Sequence, residues 1–407
     1  MPLHAAKRAV AVVFLLNGFA YASWLSRIPT IRDRLELSAS GVGLLLLCLS
    51  LGTVVALPVS GSVVERAGAR STVVGGAALV VAGLSLLAGG ALVGSVPLAG
   101  VGLLAYGVGT STWDVAMNVE AAALERRLGR AVMPRFHAGY SLGTILGAAL
   151  GAAGAAGGVP IGWQLMATGA LVVAAVPLTT RRFLPGTTAG TGRLGASGGR
   201  TFAAWRERRT LLIGLVVLAF ALSEGLANDW LALTLVDGYG TSTTVGAVTL
   251  AVFVSAMTLG RTFGGGAVDR WGRVAVLRVT GGLVALGAMA VAVSPHPAGA
   301  VAGAVLWGVG ASLGFPLGMT AAGEDEHHAA ARVSVVSSIG YTAFLGGPPV
   351  AGLLADAFGF RPALLLAVLA AGAGLALAGA AGPVGAAPAP AGAPAGTAVV
   401  ISRSTEA

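Results

Sequence analysis

The sequence predicts an all-α membrane protein, with twelve transmembrane helices arranged as two six-helix bundles. Three observations carry that expectation. Of the 407 residues, 56% are hydrophobic and only 10% charged, against about 25% charged in an average soluble domain. The apolar residues come in blocks of about twenty, the length at which a helix crosses a hydrocarbon core of roughly 30 Å. Between the blocks, the basic residues fall almost entirely on alternate loops.

The blocks place helices at 8–26, 41–64, 71–94, 97–124, 134–157, 161–180, 210–236, 243–268, 274–294, 298–322, 331–356 and 362–382, numbered spans 1 to 12 below. Span 1 shows no small-residue cleavage site, so it reads as a retained helix and not a signal peptide. Span 5 is Gly- and Ala-rich with little hydrophobic drive, which an interior helix tolerates. With the N-terminus inside, only Arg27, Arg32, Arg34 and Arg361 fall outside and Arg261 lies within a span, leaving 20 of the 25 basic residues on the inner side. That asymmetry matches the positive-inside rule and predicts a multi-pass protein of the cytoplasmic (inner) membrane with both termini cytoplasmic.

The expected organisation is a bundle over 1–180, a basic cytoplasmic linker over 181–209, a second bundle over 210–382 and a disordered tail over 383–407. The linker holds seven Arg and one Glu, suited to setting topology or to meeting anionic lipid headgroups. Arg outnumbers Lys 24 to 1, and the net charge of +9 is largely this loop charge, so no nucleic-acid partner is expected. A single cysteine, Cys48, excludes a disulfide framework and a cysteine metal site. No nucleophile–base pair, phosphate loop or metal cluster stands out, so neither an enzyme, a cofactor nor a metal is expected. A membrane sensor or scaffold would usually need an added cytoplasmic domain, which the linker and tail are too short to supply.

An internal repeat links the halves. Gly61-Ser-Val-Val-Glu65-Arg66-Ala-Gly68-Ala-Arg70 follows span 2, and Gly265-Gly-Ala-Val-Asp269-Arg270-Trp-Gly272-Arg273 follows span 8, 204 residues later. A fainter copy, Gly352 to Arg361 with Asp356 and Gly359, ends span 11. The first glycine lets helices approach closely, the acid suits a helix N-terminus, and the second glycine allows a tight turn. This pattern resembles the signature loop of the major facilitator superfamily, with Glu65 where that family usually has Asp. The resemblance implies the major facilitator fold and alternating access. A closer likeness, to the YbjJ-type inner-membrane transporters that stand near the fucose–proton symporters, rests on four segments. These are Met117-Asn118-Val119-Glu120, Phe136-His137-Ala-Gly-Tyr140-Ser141-Leu-Gly143, Glu224-Gly-Leu-Ala-Asn228-Asp229-Trp230 and Trp307 to Pro316.

Ionisable groups inside a span cost about 2.5–3.5 kcal/mol on insertion scales, so each needs a reason. Asn17, Tyr21 and Trp24 share one face of span 1; Asp114 and Asn118 share one face of span 4, with Trp113 beside them; Glu224 and Asn228 share one face of span 7. In facilitator proteins spans 1, 4, 7 and 10 line the cavity, so the resemblance makes these residues and Trp307 the expected substrate site. Acids, amides and indoles suit a hydroxyl-bearing ligand; packing between helices, or anchoring at the headgroups for Trp24 and Trp230, is the structural alternative.

Asp114, Glu120, His137, Glu224 and Asp229 are the candidates for proton coupling, with a Glu120–His137 pair as relay or static gate. Arg261, four residues before the second repeat, reads as a brace for that loop. Gly139, Gly143, Gly147 and Gly151 recur every four residues and predict close contact of span 5 with another helix, while 308–316 and 346–349 are expected bends. Spans 4 and 5 lack the Arg and the Gly-Pro element typical of proton-driven drug antiporters. The leading expectation is a monomeric secondary transporter for proton-coupled uptake of a small polar solute, with membrane lipids as its other contacts. The alternative is proton-coupled efflux of drugs or metabolites.

Overall fold

Each apolar block closes its backbone hydrogen bonds within itself, the condition for crossing lipid. The computed structural model describes residues 3–37, 39–185 and 202–383; most of the expected linker, 186–201, and the expected tail, 384–407, lie outside the described residues. Among the described residues there is helix and no strand. Span 1 is Leu3–Leu25, and a short helix that the apolar pattern did not announce, Ile28–Arg34, follows it. Spans 2 and 3 run through Ala39–Val93 and are divided at Gly68. Spans 4, 5 and 6 are Val96–Leu128, Met133–Ala156 and Ile161–Thr180.

Span 7 is Arg208–Leu233, extended by one π-helical turn, Thr234–Gly238. Span 8, Thr243–Phe263, bends by 51° into Gly265–Trp271. Span 9 is Arg273–Val293. Span 10 is broken into Pro297–Ala311 and Gly314–Ala322, at the glycine-rich stretch expected to bend. Span 11, Ala329–Phe358, runs unbroken through Gly346–Pro349, so that expected kink does not form. Span 12 comprises Phe360–Ala363, Leu365–Leu377 and a closing 3-10 turn, Ala378–Ala381.

By length and apolarity alone, eight described helices can cross a membrane, or nine with the bent pair taken as one span. The sequence pattern reaches twelve because Gly68 divides the Leu44–Val93 stretch, and because Val96–Leu128 and Ala329–Phe358 fall short of that apolarity standard.

The repeat has a common backbone. Gly68 (φ 79°, ψ 156°), Gly272 (φ 76°, ψ 156°) and Gly359 (φ 92°, ψ 162°) adopt one conformation, which a residue with a Cβ rarely enters. The faint third copy is therefore a structural copy too.

Span 5 packs on span 1 along its glycines. A Cβ on Gly143 would sit on the Leu15 carbonyl oxygen, and one on Gly147 on that of Phe19. Spans 1 to 6 pack among themselves and spans 7 to 12 among themselves, and spans 2, 4 and 5 meet spans 8, 10 and 11 along the seam between them.

Candidate functional site

The polar residues of spans 4, 5, 7 and 8 converge where the halves meet. Glu224 on span 7 accepts from Arg261 Nη2 on span 8 at 2.9 Å, with both side chains largely buried. The same guanidinium crosses the seam, donating from Nη1 to Ser141 Oγ of span 5 at 2.9 Å, and from Nε to the Ser312 carbonyl at the break in span 10 at 3.3 Å. Arg261 therefore turns inward and does not brace the loop behind it. The sequence carried a partial signal for this: a charged residue deep in a span needs an acid, and Glu224 is an acid inside the neighbouring span 7.

On the other side of the seam, Asn118 Nδ2 donates to Asp114 Oδ1 at 3.2 Å and to its backbone carbonyl at 2.9 Å. Asn118 Oδ1 meets His137 Nε2 at 3.3 Å, so the imidazole is the donor there. His137 thus partners Asn118 rather than the expected Glu120, whose Oε1 instead accepts from the Leu184 backbone N–H at 2.6 Å. The His137 ring is held edge-on between Phe14 and Phe315, at 5.1 and 5.4 Å between centroids. Among the described residues Asp114 Oδ2 faces only the Tyr341 phenol of span 11, which stands beside it short of good hydrogen-bond geometry. One turn above, Thr110 donates to Asn17 Oδ1 at 3.3 Å and leaves Asn17 Nδ2 unpaired. Two buried groups with unmet capacity, one donor and one acceptor, therefore lie close together on spans 1 and 4.

The remaining predicted residues divide. Tyr21 is half-buried and Asn228 and Asp229 are exposed, with Asp229 within electrostatic range of Tyr21 across the seam. Trp24 is buried against Tyr21 and Tyr106, and Trp113 is fully enclosed. Trp307 donates its indole N–H to Ser223, the residue before Glu224, at 2.7 Å and packs on Phe253, which places it in the helix core. In the 324–328 stretch Glu324 pairs with Arg209 and Arg273, and Asp325 with His328 and Arg332; no metal-ligating group of three or more is found among the described residues.

The seam is closed on one face, which carries the repeat loops and the short connections 129–132 and 323–328, and which is called the basic face here. There Glu125 accepts from the Val132 and Met133 backbone N–H groups, each at 2.6 Å, capping span 5, and from Thr320 Oγ1 of span 10 at 2.6 Å. Asp269 of the second repeat accepts from the Ala131 N–H at 2.6 Å, which is the helix-end role expected for that acid. Arg126 reaches the Gly323 carbonyl, Ser334 the Leu57 carbonyl, and Gly61 lies on Ala330 with no room for a side chain. On the opposite face the bonding stays within each half among the described residues: Arg27 binds Gln164 and Val159, while Arg361 binds Ala292 and Ser294 and stacks on Tyr239.

A two-bundle membrane protein with a buried polar centre, sealed on one face only, is built to carry something across. The chain belongs to the Major Facilitator Superfamily, which it matches over residues 10–325 and 213–404. It is 31% identical over 367 residues to an uncharacterised MFS-type transporter of Yersinia pestis, covering 88% of this chain and 93% of that one. It is 31% identical over 356 residues to the uncharacterised transporter y4wD of Sinorhizobium fredii, covering 87% and 92%. Its fold resembles the transporter FucP in the outward conformation, with a TM-score of 0.77 at 15% identity over 91% of this chain and 97% of that one. The protein is a membrane transporter and not an enzyme.

Proposed function

We propose that the protein takes up a small polar solute together with protons, its halves 1–180 and 210–382 rocking about the central site, as a monomer in the inner membrane with the basic face cytoplasmic. The observation that carries this reading is the Glu224–Arg261 pair, which reaches Ser141 across the seam. Protonating Glu224 cancels its charge and frees one arm of the guanidinium, so proton loading changes the bonds that hold the two halves in register. An ion pair in a low-dielectric setting changes strongly when one partner is neutralised. His137, within electrostatic range of Arg261, and Asp229, five residues on from Glu224, serve as further proton stations. Glu120, bound at the basic end, and Asp114 remain further candidates for carrying the proton.

The solute enters from the face opposite the basic one. Asp114 Oδ2 and Asn17 Nδ2 are the groups that most need a partner, and a hydroxyl-bearing ligand supplies both an acceptor and a donor. Tyr21, Asn118 and Asn228 complete the polar lining. The packing of Trp113 and Trp307 gives them a supporting role behind it.

The test begins with a thermal-shift screen of purified protein against sugars, polyols, nucleosides and drugs, since ligand binding to the native state raises Tm. The stabilising compound is then offered to proteoliposomes under an imposed pH gradient. Glu224→Gln is expected to abolish proton-driven accumulation while keeping ligand binding, and Asp114→Asn to weaken binding at least about tenfold, as expected for a charged hydrogen-bond partner. Undiminished pH-driven accumulation by Glu224→Gln would sink the coupling role, and a gradient that drives the compound outward would reverse the direction.

A further inference from the structure

Three cations gather on the basic face beside the seam of spans 5 and 8. Lys7 opens span 1 within electrostatic range of Arg130 and Arg135, which flank the start of span 5. Arg130 and Arg135 are exposed, Lys7 is partly so, and among the described residues none of the three joins an ion pair. Asp269, which accepts from the Ala131 N–H, offsets only one of the three charges, so the cluster stays net positive. Arg135 Nε also donates to the Thr262 carbonyl of span 8 at 3.4 Å, so the cluster straddles the two halves. Like charges held together repel, and the arrangement persists best where an anion sits among them.

The surface around the cluster is not that of a site for a free anion. Arg135 heads a face of span 5 on which Leu142, Ile145 and Leu146 are exposed, 7, 10 and 11 residues on and so on the same side of the helix. Phe263, next to the Thr262 anchor, is 71% exposed. Cations at the headgroup level above exposed apolar helix faces are an arrangement that binds acidic lipid.

We propose that Lys7, Arg130 and Arg135 hold the phosphate of an anionic phospholipid whose chains lie along span 5 toward Phe263. Because Arg135 bonds across the seam, the lipid favours the state sealed on the basic face. The proposal stands apart from the coupling reading, since none of these residues touches the central site.

The test is native mass spectrometry of the detergent-purified full chain with phosphatidylglycerol, phosphatidylcholine or inorganic phosphate. Wild-type protein should retain phosphatidylglycerol at least about tenfold better than phosphatidylcholine. Arg130→Gln with Arg135→Gln should lose that preference, while Arg181→Gln with Arg182→Gln, charge-matched elsewhere on the same face, should keep it. Equal loss in the control pair would overturn the site in favour of diffuse charge. Equal retention of both lipids, or full displacement by millimolar phosphate, would overturn the lipid assignment. If the double variant is poorly produced, Lys7→Gln alone must still reduce phosphatidylglycerol retention several-fold, and an unchanged value overturns the proposal.

Discussion

The two halves share a repeat and a fold, yet they are held together by different means. In the N-terminal half, span 5 meets span 1 backbone to backbone: Gly143 and Gly147 lie on the Leu15 and Phe19 carbonyls. In the C-terminal half, the corresponding spans 11 and 7 meet through side chains, with Gly340 against Val217 and Gly347 against Leu222. The polar groups differ in the same sense. Spans 1 and 4 leave Asn17 Nδ2 and Asp114 Oδ2 without partners, whereas Glu224, Arg261 and Trp307 of the second half are bonded. At this helix pair the first half is packed backbone to backbone, with unmet hydrogen-bonding capacity on spans 1 and 4; the second half packs the matching pair through side chains and holds its polar centre by an ion pair.

The sharpest way to break that contrast is a single methyl group. Gly143→Ala drives a Cβ into a carbonyl that belongs to a helix backbone and cannot rotate away. Overpacking of this kind costs about 1–3 kcal/mol, with the upper end expected here. Gly346→Ala on span 11 meets open space and should fall within about 0.5 kcal/mol of wild type. Thermal unfolding in detergent compares them; equal losses would show that the span 1–5 contact has room for the added methyl and is no tighter than open space.

A smaller effect is expected at Glu125, where the frame is tied to the second half. Glu125→Ala removes the cap of span 5 and the bond from Thr320 together. Loss of a cap costs about 0.5–2 kcal/mol. Since the bond spans the seam, part of that cost should appear as opening of the basic face. Labelling of an Ala330→Cys reporter by a membrane-impermeant maleimide should rise several-fold in the Glu125→Ala background. Unaltered labelling would confine Glu125 to holding its own half.

Much of this was legible in sequence because it depends on local rules. Span positions follow from apolar run length, and the turns at Gly68, Gly272 and Gly359 follow from a residue pattern that only one backbone conformation satisfies. The four-residue glycine period of span 5 announced a close helix contact but not its partner, because a period carries no information about the facing surface. The site was half legible. Asp114, Asn118 and Glu224 declared themselves as polar groups in lipid, but which polar group meets which depends on packing across the seam. Arg261 was therefore assigned to the adjacent loop when its partner was 37 residues away on another helix. Likewise depth alone matches His137 to Glu120, when a two-residue difference, about half a turn, puts Asn118 opposite it.

The smallest expected effect concerns the ion pairs of the second half. At its basic face Arg332 donates to Glu207 at 2.6 Å and to Asp325 at 3.3 Å, and His328 adds a bond to Asp325 at 2.6 Å. Partial burial works against ionisation of Glu207, but bonds from Arg332 and Thr210 and the Arg332 charge outweigh it and hold the carboxyl below its usual range. Asp325 is likewise lowered: partial burial opposes its charge, and His328, the His327 N–H and Arg332 overcome that opposition. A carboxyl depressed in the folded protein stabilises it above the unfolded pKa, and that contribution is lost as pH falls through the folded value. Stability should thus be indifferent to pH from neutral down to about 5 and should fall only below the ordinary Glu range of about 4.3. Because these side chains are about a third exposed, screening keeps the effect small. Arg332→Gln should lower Tm slightly at pH 7 and flatten the acid limb, since without the guanidinium Glu207 titrates nearer its unfolded value. Gly143→Ala should shift the whole curve down without changing its shape. An acid limb as steep in Arg332→Gln as in wild type would place the acid-sensitive contacts elsewhere and remove the ionic latch from the comparison of the two halves.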